Sequence, residues 1–519
     1  MNSKSLFKNI VSSLILQFIT LIYGFIVPIL IIRHFGSETN GLVSSITKFL
    51  SYIVLLEVGI GPVVKNALFK PIVEKNKKEI EEILGTANRF FRFIAYAFII
   101  YILILCVIYP FVVHDKYSYW YVVSLVLAIS ISRLSEYFIG MTYKLFLQSD
   151  GKNYIIDLIY IVTYIIDIIV IYVLITTNHS IQFIKLICSL IYLTRPILMK
   201  LYFTKKYNYN INYKSKYVLT QKWNALSHHI ASTVQDNTDI IILTLFSTLT
   251  SVSIYSIYSL VITGIRSIIY ALINGLDAFF GKMMVKETDD VLRNKFENYT
   301  FLFYTTSTIL LACTIMLIVP FVQVYTKNIT DSDYVYPLFA YIMIFAEFNF
   351  IIRYPYSTIT FAKGHFKETC WFSILEPIVN VILSIIFVKA YGLVGVAIGT
   401  LVSMLIRSLG FIIYASKNIL KMNLFKNLKI IILSFLELIL VLFIKVKFLN
   451  ISVDNYLSWF ILAVCSFIGV FIFIILVNLL FYRTKIKGIV KNLKERRNLK
   501  NEKNGKWCIY SRYQYIWVW

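Results

Sequence analysis

Apolar residues recur along this chain in long, nearly continuous runs, without the alternation of half-buried strands or the one-sided stripes of soluble helices. Crossing a bilayer as a helix takes about 20 predominantly apolar residues. Fourteen segments reach that length: 11–32, 41–64, 93–113, 118–143, 154–177, 180–203, 223–247, 252–281, 299–325, 334–361, 369–390, 392–416, 428–449 and 456–482. The first of them, from Leu14 to Ile32, is too long for the apolar core of a cleavable leader and reads as a span. The longest connections, 65–92 and 204–222, are polar, basic and too short for a soluble domain. The pattern predicts an all-α polytopic membrane protein of about 14 transmembrane helices.

The chain also resembles itself. Pro110-Phe111-Val112 matches Pro320-Phe321-Val322, Gly151 matches Gly364, and Arg195 matches Arg407, at sequence offsets of 210, 213 and 212 respectively. The repeat unit is six spans. An even number of crossings returns the chain to its starting side, so the two bundles run parallel and are related by an axis along the membrane normal. The predicted organisation is an N-lobe (1–222), a C-lobe (223–427), an extra helix pair (428–482) and a basic tail (483–519).

Composition agrees with membrane residence. Hydrophobic residues make up 58% of the chain and charged residues 15%, against about 25% charged in soluble domains. The net charge of +24 would suggest nucleic acid in a soluble protein, but its placement excludes that reading. With the N-terminus inside, 38 Lys and Arg fall in cytoplasmic segments and five in outer loops. That asymmetry orients both termini to the cytoplasm. A reporter fused after Lys214 or Arg483 is expected to read cytoplasmic and one inserted near Asp331 external; a cytoplasmic signal at Asp331 would overturn the fourteen-span topology. The basic tail is expected to lie on anionic lipids, and removing the aromatic segment 507–519 to leave transport intact.

Ionisable side chains inside spans are costly unless they face a cavity or a partner, and this chain has many. They include Lys48 and Glu57 in the second span, Arg133 and Glu136 in the fourth, and Asp157 and Asp167 in the fifth. Lys185 and Arg195 follow in the sixth, Asp236 and Asp239 in the seventh, and Arg266 and Asp277 in the eighth. Glu347, Arg353, Glu376, Arg407 and Glu437 complete the set. A carrier with a polar interior accounts for so many. The separation from Arg133 to Gly151 exceeds that from Arg353 to Gly364 by seven positions. Seven positions are two helical turns, which places the two arginines on equivalent faces, one per lobe. Arginine is suited to bidentate phosphate contact. Two readings are open: the pair faces substrate, with Arg266 and Lys48 as further cavity cations, or it is neutralised by Glu136 and Glu347. Asp236 and Asp239, three apart on one face, are candidates for ion coupling, as are Glu57 and Asp167; pairing with Arg266 is the alternative for the aspartates. Arg195 and Arg407 have the option of snorkelling to lipid phosphate. No cysteine spacing or His228-His229 context indicates a metal site, and no nucleotide-binding or hydrolase motif is present. Neither a cofactor nor an enzymatic activity is expected.

Several segments together resemble a family. Glu376-Pro377 through Asn380, followed by Lys389-Ala390-Tyr391-Gly392-Leu393-Val394-Gly395-Val396-Ala397-Ile398-Gly399-Thr400, looks like the eleventh-to-twelfth helix turn of polysaccharide flippases. So do Ile32-Arg33-His34-Phe35-Gly36 with Asn40-Gly41-Leu42, and Leu56-Glu57-Val58-Gly59-Ile60-Gly61, where the family usually has Asp at the position of Glu57. Thr238-Asp239 with Ser253-Ile254-Tyr255-Ser256 completes the set, which spans roughly residues 5–420. These flippases belong to the multidrug/oligosaccharidyl-lipid/polysaccharide exporter superfamily. The resemblance implies two six-helix lobes around a cavity lined largely by helices 1, 2, 7 and 8. It implies a carrier that moves an undecaprenyl-diphosphate-linked oligosaccharide from the cytoplasmic to the outer leaflet, for surface polysaccharide synthesis. The expected partners besides that substrate are H⁺ or Na⁺ at the aspartates and a polysaccharide polymerase with glycosyltransferases. The alternatives are a multidrug/cation antiporter of the same superfamily and a non-transporting scaffold of a synthesis complex.

Overall fold

The computed structural model of the chain describes residues 3–57, 59–114, 116–213, 223–273, 288–449 and 453–488. Asp277, most of the basic tail and the aromatic segment 507–519 lie outside the described residues. Among the described residues the fold is helical throughout, and eleven helical stretches are long and apolar enough to cross a membrane. One of these, 366–419, turns back at Gly392, where φ is +53°, and is two helices.

In chain order the helices are α1 (Ser3–Phe35), α2 (Ser37–Ser51, Val54–Glu57 and Ile60–Glu74, broken at two points), α3 (Lys77–Val112) and α4 (Tyr119–Ser135 continued by Met141–Ser149). They continue with α5 (Asn153–Thr176), α6 (Ile181–Lys206), α7 (Trp223–Phe246), α8 (Leu249–Ile273), α9 (Asp289–Tyr325) and α10 (Pro337–Ala362). Last come α11 (366–391), α12 (393–414), α13 (Leu424–Phe448) and α14 (Tyr456–Phe481). The expected spans are each found as helix among the described residues; the end of the span 252–281 lies outside them. Many extend past the hydrocarbon length into polar residues, because a helix keeps its backbone hydrogen bonds internal on both sides of the interface.

The repeat is visible in the elements themselves. The starts of α2 and α8, of α3 and α9, and of α6 and α12 share one sequence offset, 212, and those of α5 and α11 differ by 213. Gly151 and Gly364 both take left-handed backbone just beyond α4 and α10, with φ of +69° and +81°. That conformation reverses the chain after a helix and is cheap only for glycine.

Two apolar cores result. One is built by α1–α6 around residues such as Ile80, Phe91, Phe98 and Phe146, with Leu249 reaching in from α8. The other is built by α7–α14 around Tyr258, Phe296, Tyr304 and Phe339, with Ile32 reaching in from α1. α13 and α14 pack along α9 and are tied to each other by Asn478 donating to Glu437 at 2.8 Å.

The lobes meet along α2 and α8. With the orientation that the basic loops predict, the seam lies at the outer end. Ser37 donates its backbone N–H and its hydroxyl to Asp331 at 2.6 and 2.7 Å, and Tyr334 donates to Ser37 at 2.7 Å. Deeper in, Asn40 donates to Ser253 at 2.8 Å, and Ser45 and Thr244 share a bond of 2.7 Å. Gly41 permits the closest approach: a Cβ there would stand 1.8 Å from the Leu249 carbonyl oxygen. These contacts hold the lobes together at that end.

Candidate functional site

Between the lobes lies a cavity of about 570 Å³. α1 lines it with Tyr23 and Pro28, α2 with Asn40, Ser44, Thr47 and Lys48, α4 with Arg133, α6 with Lys185 and Ser189, and α8 with Ser256 and Thr263. Helices 4 and 6 thus join the wall that family resemblance assigns to helices 1, 2, 7 and 8. A second cavity of about 260 Å³ opens beside it in the C-lobe, lined by Asp236, Asp239, Arg266, Glu347 and Thr400, with Lys48 shared between the two. A third, about 240 Å³, lies in the N-lobe against Glu136, Tyr160 and Arg195, with Arg133, Ser132 and Tyr192 shared with the central one.

The two lobes treat charge differently. On the N-lobe wall, Lys48, Arg133 and Lys185 form no ion pair among the described residues; Lys48 donates only to the backbone oxygen of Asp236, at 3.3 Å. The neighbouring carboxylates have other partners, although Oδ1 of Asp167 has none among the described residues. Glu136 takes Lys144 at 2.8 Å and the Tyr160 hydroxyl at 3.3 Å. Asp167 is fully buried and accepts from Tyr23 and Tyr192, both at 2.8 Å.

On the C-lobe wall the cation is neutralised. Arg266 reaches Glu347 at 2.5 Å and Asp236 at 3.5 Å. Asp239 is 4% exposed and accepts from Tyr255 and Thr400 at 2.7 Å and from Asn380 at 2.9 Å. All three donors are neutral. They come from α8, α12 and α11, so an acid sits where four helices converge, with no cation bonded to it among the described residues.

Of the eight candidate substrate-binding and ion-coupling residues, Lys48, Arg133, Arg266, Asp236 and Asp239 lie on these cavity walls. Three lie elsewhere. Glu57 ends a short helical piece in the break of α2, where the Tyr137 hydroxyl donates to it at 3.0 Å. Asp167 is held behind the N-lobe wall by the two tyrosines. Arg353 is on none of these three walls: it is 6% exposed and pairs at 3.0 Å with Glu376, which also holds Arg407.

The equivalent-face argument for Arg133 and Arg353 fails for a local reason. α4 contains a π-helical turn, Glu136–Gly140, between Arg133 and Gly151, and such a turn absorbs one extra residue. The effective difference is six positions instead of seven, and at about 100° per residue the two arginines point from different faces. Glu136 lines the same N-lobe pocket as Arg133, but its carboxylate is bonded to Lys144 and not to the arginine three residues before it. Glu347 serves Arg266 instead of Arg353, and Arg407 is bonded to Glu376 rather than free to snorkel. Lys185 was visible as a charged residue in a span, but its place on the cavity wall depends on how α6 packs. Among the described residues no cluster suited to a metal ion occurs; His228 is taken up by Ser373 at 2.6 Å and by the Phe366 carbonyl at 3.0 Å.

No family model matches the chain, and no curated protein matches it in sequence. Solved structures match it in shape. The lipid II flippase MurJ in an inward closed conformation superposes with a TM-score of 0.63 at 18% identity, covering 92% of this chain and 99% of that one. A multidrug resistance MATE family transporter of the MOP superfamily, in its inward-facing conformation, gives 0.60 at 15% identity, covering 78% of this chain and 95% of that one. An outward-facing conformation of a transporter of that description gives only 0.50, at 14% identity over 80% of this chain and 96% of that one. Two parallel six-helix bundles, a cavity between them and an added helix pair give this chain the fold of the MOP superfamily.

Proposed function

We propose that the chain is a carrier for an anionic lipid-linked substrate, a diphosphate-linked oligosaccharide, which it moves from the inner to the outer leaflet by alternating access of its two lobes. The observation that carries this reading is the N-lobe wall of Lys48, Arg133 and Lys185, three cations without a carboxylate partner among the described residues. Cations held in a low-dielectric cleft without counter-ions favour a ligand that brings negative charge. A lipophilic cation, the substrate class of a multidrug antiporter, would be repelled there. The size supports the same assignment, since the central cavity falls within the range of ligand-binding sites.

The lobes of this reading are residues 1–222 and 223–427. The orientation puts both termini in the cytoplasm, the membrane is the cytoplasmic one, and the tail rests on anionic lipid. Asp239 and Asp236 are the coupling-ion candidates, because Asp239 is a buried carboxyl on a cavity wall whose bonded partners are all neutral. A polysaccharide polymerase and glycosyltransferases are the partners this substrate would require.

The test uses purified chain in proteoliposomes with a fluorescent polyprenyl-diphosphate saccharide, and a membrane-impermeant quencher to read the outer leaflet. Lys48→Glu and Lys185→Glu should each abolish translocation of the probe, while Asp239→Asn should leave its binding and remove the response to an H⁺ or Na⁺ gradient. Undiminished translocation in both charge reversals, or transport of a cationic dye that they enhance, would favour the antiporter.

A further inference from the structure

The repeat exposes a difference between the lobes that points to a second ligand position. Arg195 on α6 and Arg407 on α12 are repeat equivalents, and so are Thr163 on α5 and Glu376 on α11, at offsets of 212 and 213. The contact between them is kept in both lobes. Arg407 donates to Glu376; Arg195 donates through Nε to the Thr163 hydroxyl at 2.8 Å. In the N-lobe the acid is missing and only the hydroxyl remains, so Arg195 keeps the geometry and loses the counter-charge.

The surroundings do not replace it. The Arg195 guanidinium lies 3.9 Å from the Tyr192 ring centre and 4.5 Å from those of Tyr160 and Tyr164. Aromatic faces attract a cation without neutralising it. The terminal nitrogens have no partner among the described residues, and Nη2 is fully buried. Asp167, one turn along α5, accepts from Tyr23 and Tyr192 instead. Glu136 shares the pocket but is bonded to Lys144. A second cation faces the same space: Arg133, also unpaired among the described residues, lines this pocket of about 240 Å³ together with Arg195. The crossing of α4 and α6 brings them together, since a Cβ on Gly140 would stand 3.0 Å from Pro196, the residue after Arg195.

The geometry points to an oxyanion subsite in the N-lobe, formed by Arg195 and Arg133 beside the central cavity, that takes a phosphate or carboxylate group of the substrate. The inference deepens the function proposed above and rests on it. Thr163 in place of the repeat's acid leaves the position to be filled by the ligand's charge. Two chemistries share the recognition, the diphosphate of the lipid linkage and the carboxylate of an acidic sugar.

The experiment measures binding isotherms of inorganic diphosphate and of glucuronate to the full chain in lipid nanodiscs. Arg195→Gln removes the donor, Arg195→Lys keeps the charge without the fork, and Thr163→Glu restores the acid that the C-lobe has. Arg195→Gln and Thr163→Glu should each weaken one probe about tenfold or more, the loss of one charge-assisted hydrogen bond, and Arg195→Lys should weaken it less. Loss for diphosphate assigns the subsite to the linkage, and loss for glucuronate assigns it to an acidic sugar. Thr163→Glu is the decisive variant, because it supplies Arg195 with a partner inside the fold: a folded Thr163→Glu protein with unchanged affinity for both probes would make Arg195 structural and overturn the subsite. Lys48→Gln separates the two levels. If it weakens diphosphate binding while the Arg195 and Thr163 variants do not, the subsite falls and the carrier reading stands; if none of them alters binding, both fall.

Discussion

Replacing Gly41 with alanine should open the outer end of the protein. A methyl group at that position would meet the Leu249 backbone carbonyl at 1.8 Å, and a main-chain atom at a helix start has little room to yield. The lobes must separate there, breaking the neighbouring Asn40–Ser253 and Ser45–Thr244 bonds. Each such bond contributes about 1 kcal/mol, and about 1.4 kcal/mol changes a population tenfold. The seam therefore sets the balance between closed and open outer ends by at least an order of magnitude. The measurement is labelling of Ser44→Cys, on the central cavity wall, by a membrane-impermeant thiol reagent added from outside to a chain without its native cysteines. Gly41→Ala should raise the labelling rate about tenfold or more. An unchanged rate at normal abundance would mean that α2 and α8 do not hold the outer gate. Under the proposed alternating access, outward opening would have to uncap α2, because Asp331 accepts the first N–H of that helix from across the lobes.

The second large effect separates the buried cations from those on the wall. Glu376→Gln should sharply lower the amount of folded protein, because it leaves Arg353 and Arg407 buried together with no carboxylate between them. Removing one partner of a buried ion pair costs about 3–5 kcal/mol, comparable to the net stability of many proteins. Arg353→Gln should be milder, since Glu376 and Arg407 remain a one-to-one pair, and it should partly rescue Glu376→Gln by removing the surplus charge. Arg133→Gln should behave in the opposite way: normal abundance, but translocation of the diphosphate-linked probe reduced about tenfold or more. Membrane-inserted protein and transport are read from the same preparations. Normal abundance of Glu376→Gln would contradict the structural role of the triad. Full transport by Arg133→Gln at normal abundance would remove it from the substrate path.

These predictions depend on which charge faces which space, and that was only partly legible from residue order. A span in hydrocarbon must satisfy its own backbone, so an apolar run of sufficient length has helix as its one outcome. For that reason the runs from 11–32 to 456–482 mark the helices of the structure, and the offset between Gly151 and Gly364 marks the repeat. Gly392 was legible too, as the break between two runs. The presence of many ionisable side chains in spans implied a polar interior for the same reason: bare charge does not persist in lipid.

What the linear pattern could not decide was pairing, since a charge in a span is satisfied equally well by a partner three residues away or by one on another helix. Arg133 is left without Glu136 because Lys144, beyond the π-helical turn, takes that carboxylate, and no hydrophobic period reports such a turn. Arg353 is consumed by Glu376 on the following helix, and Glu347 by Arg266, two helices back. The sequence by itself determined the helices, their order and the doubled architecture, which follow from local chemistry and length. Tertiary packing alone decided that the N-lobe wall keeps its positive charge and the C-lobe wall does not, because neutralisation depends on distances between helices that the order of residues does not contain.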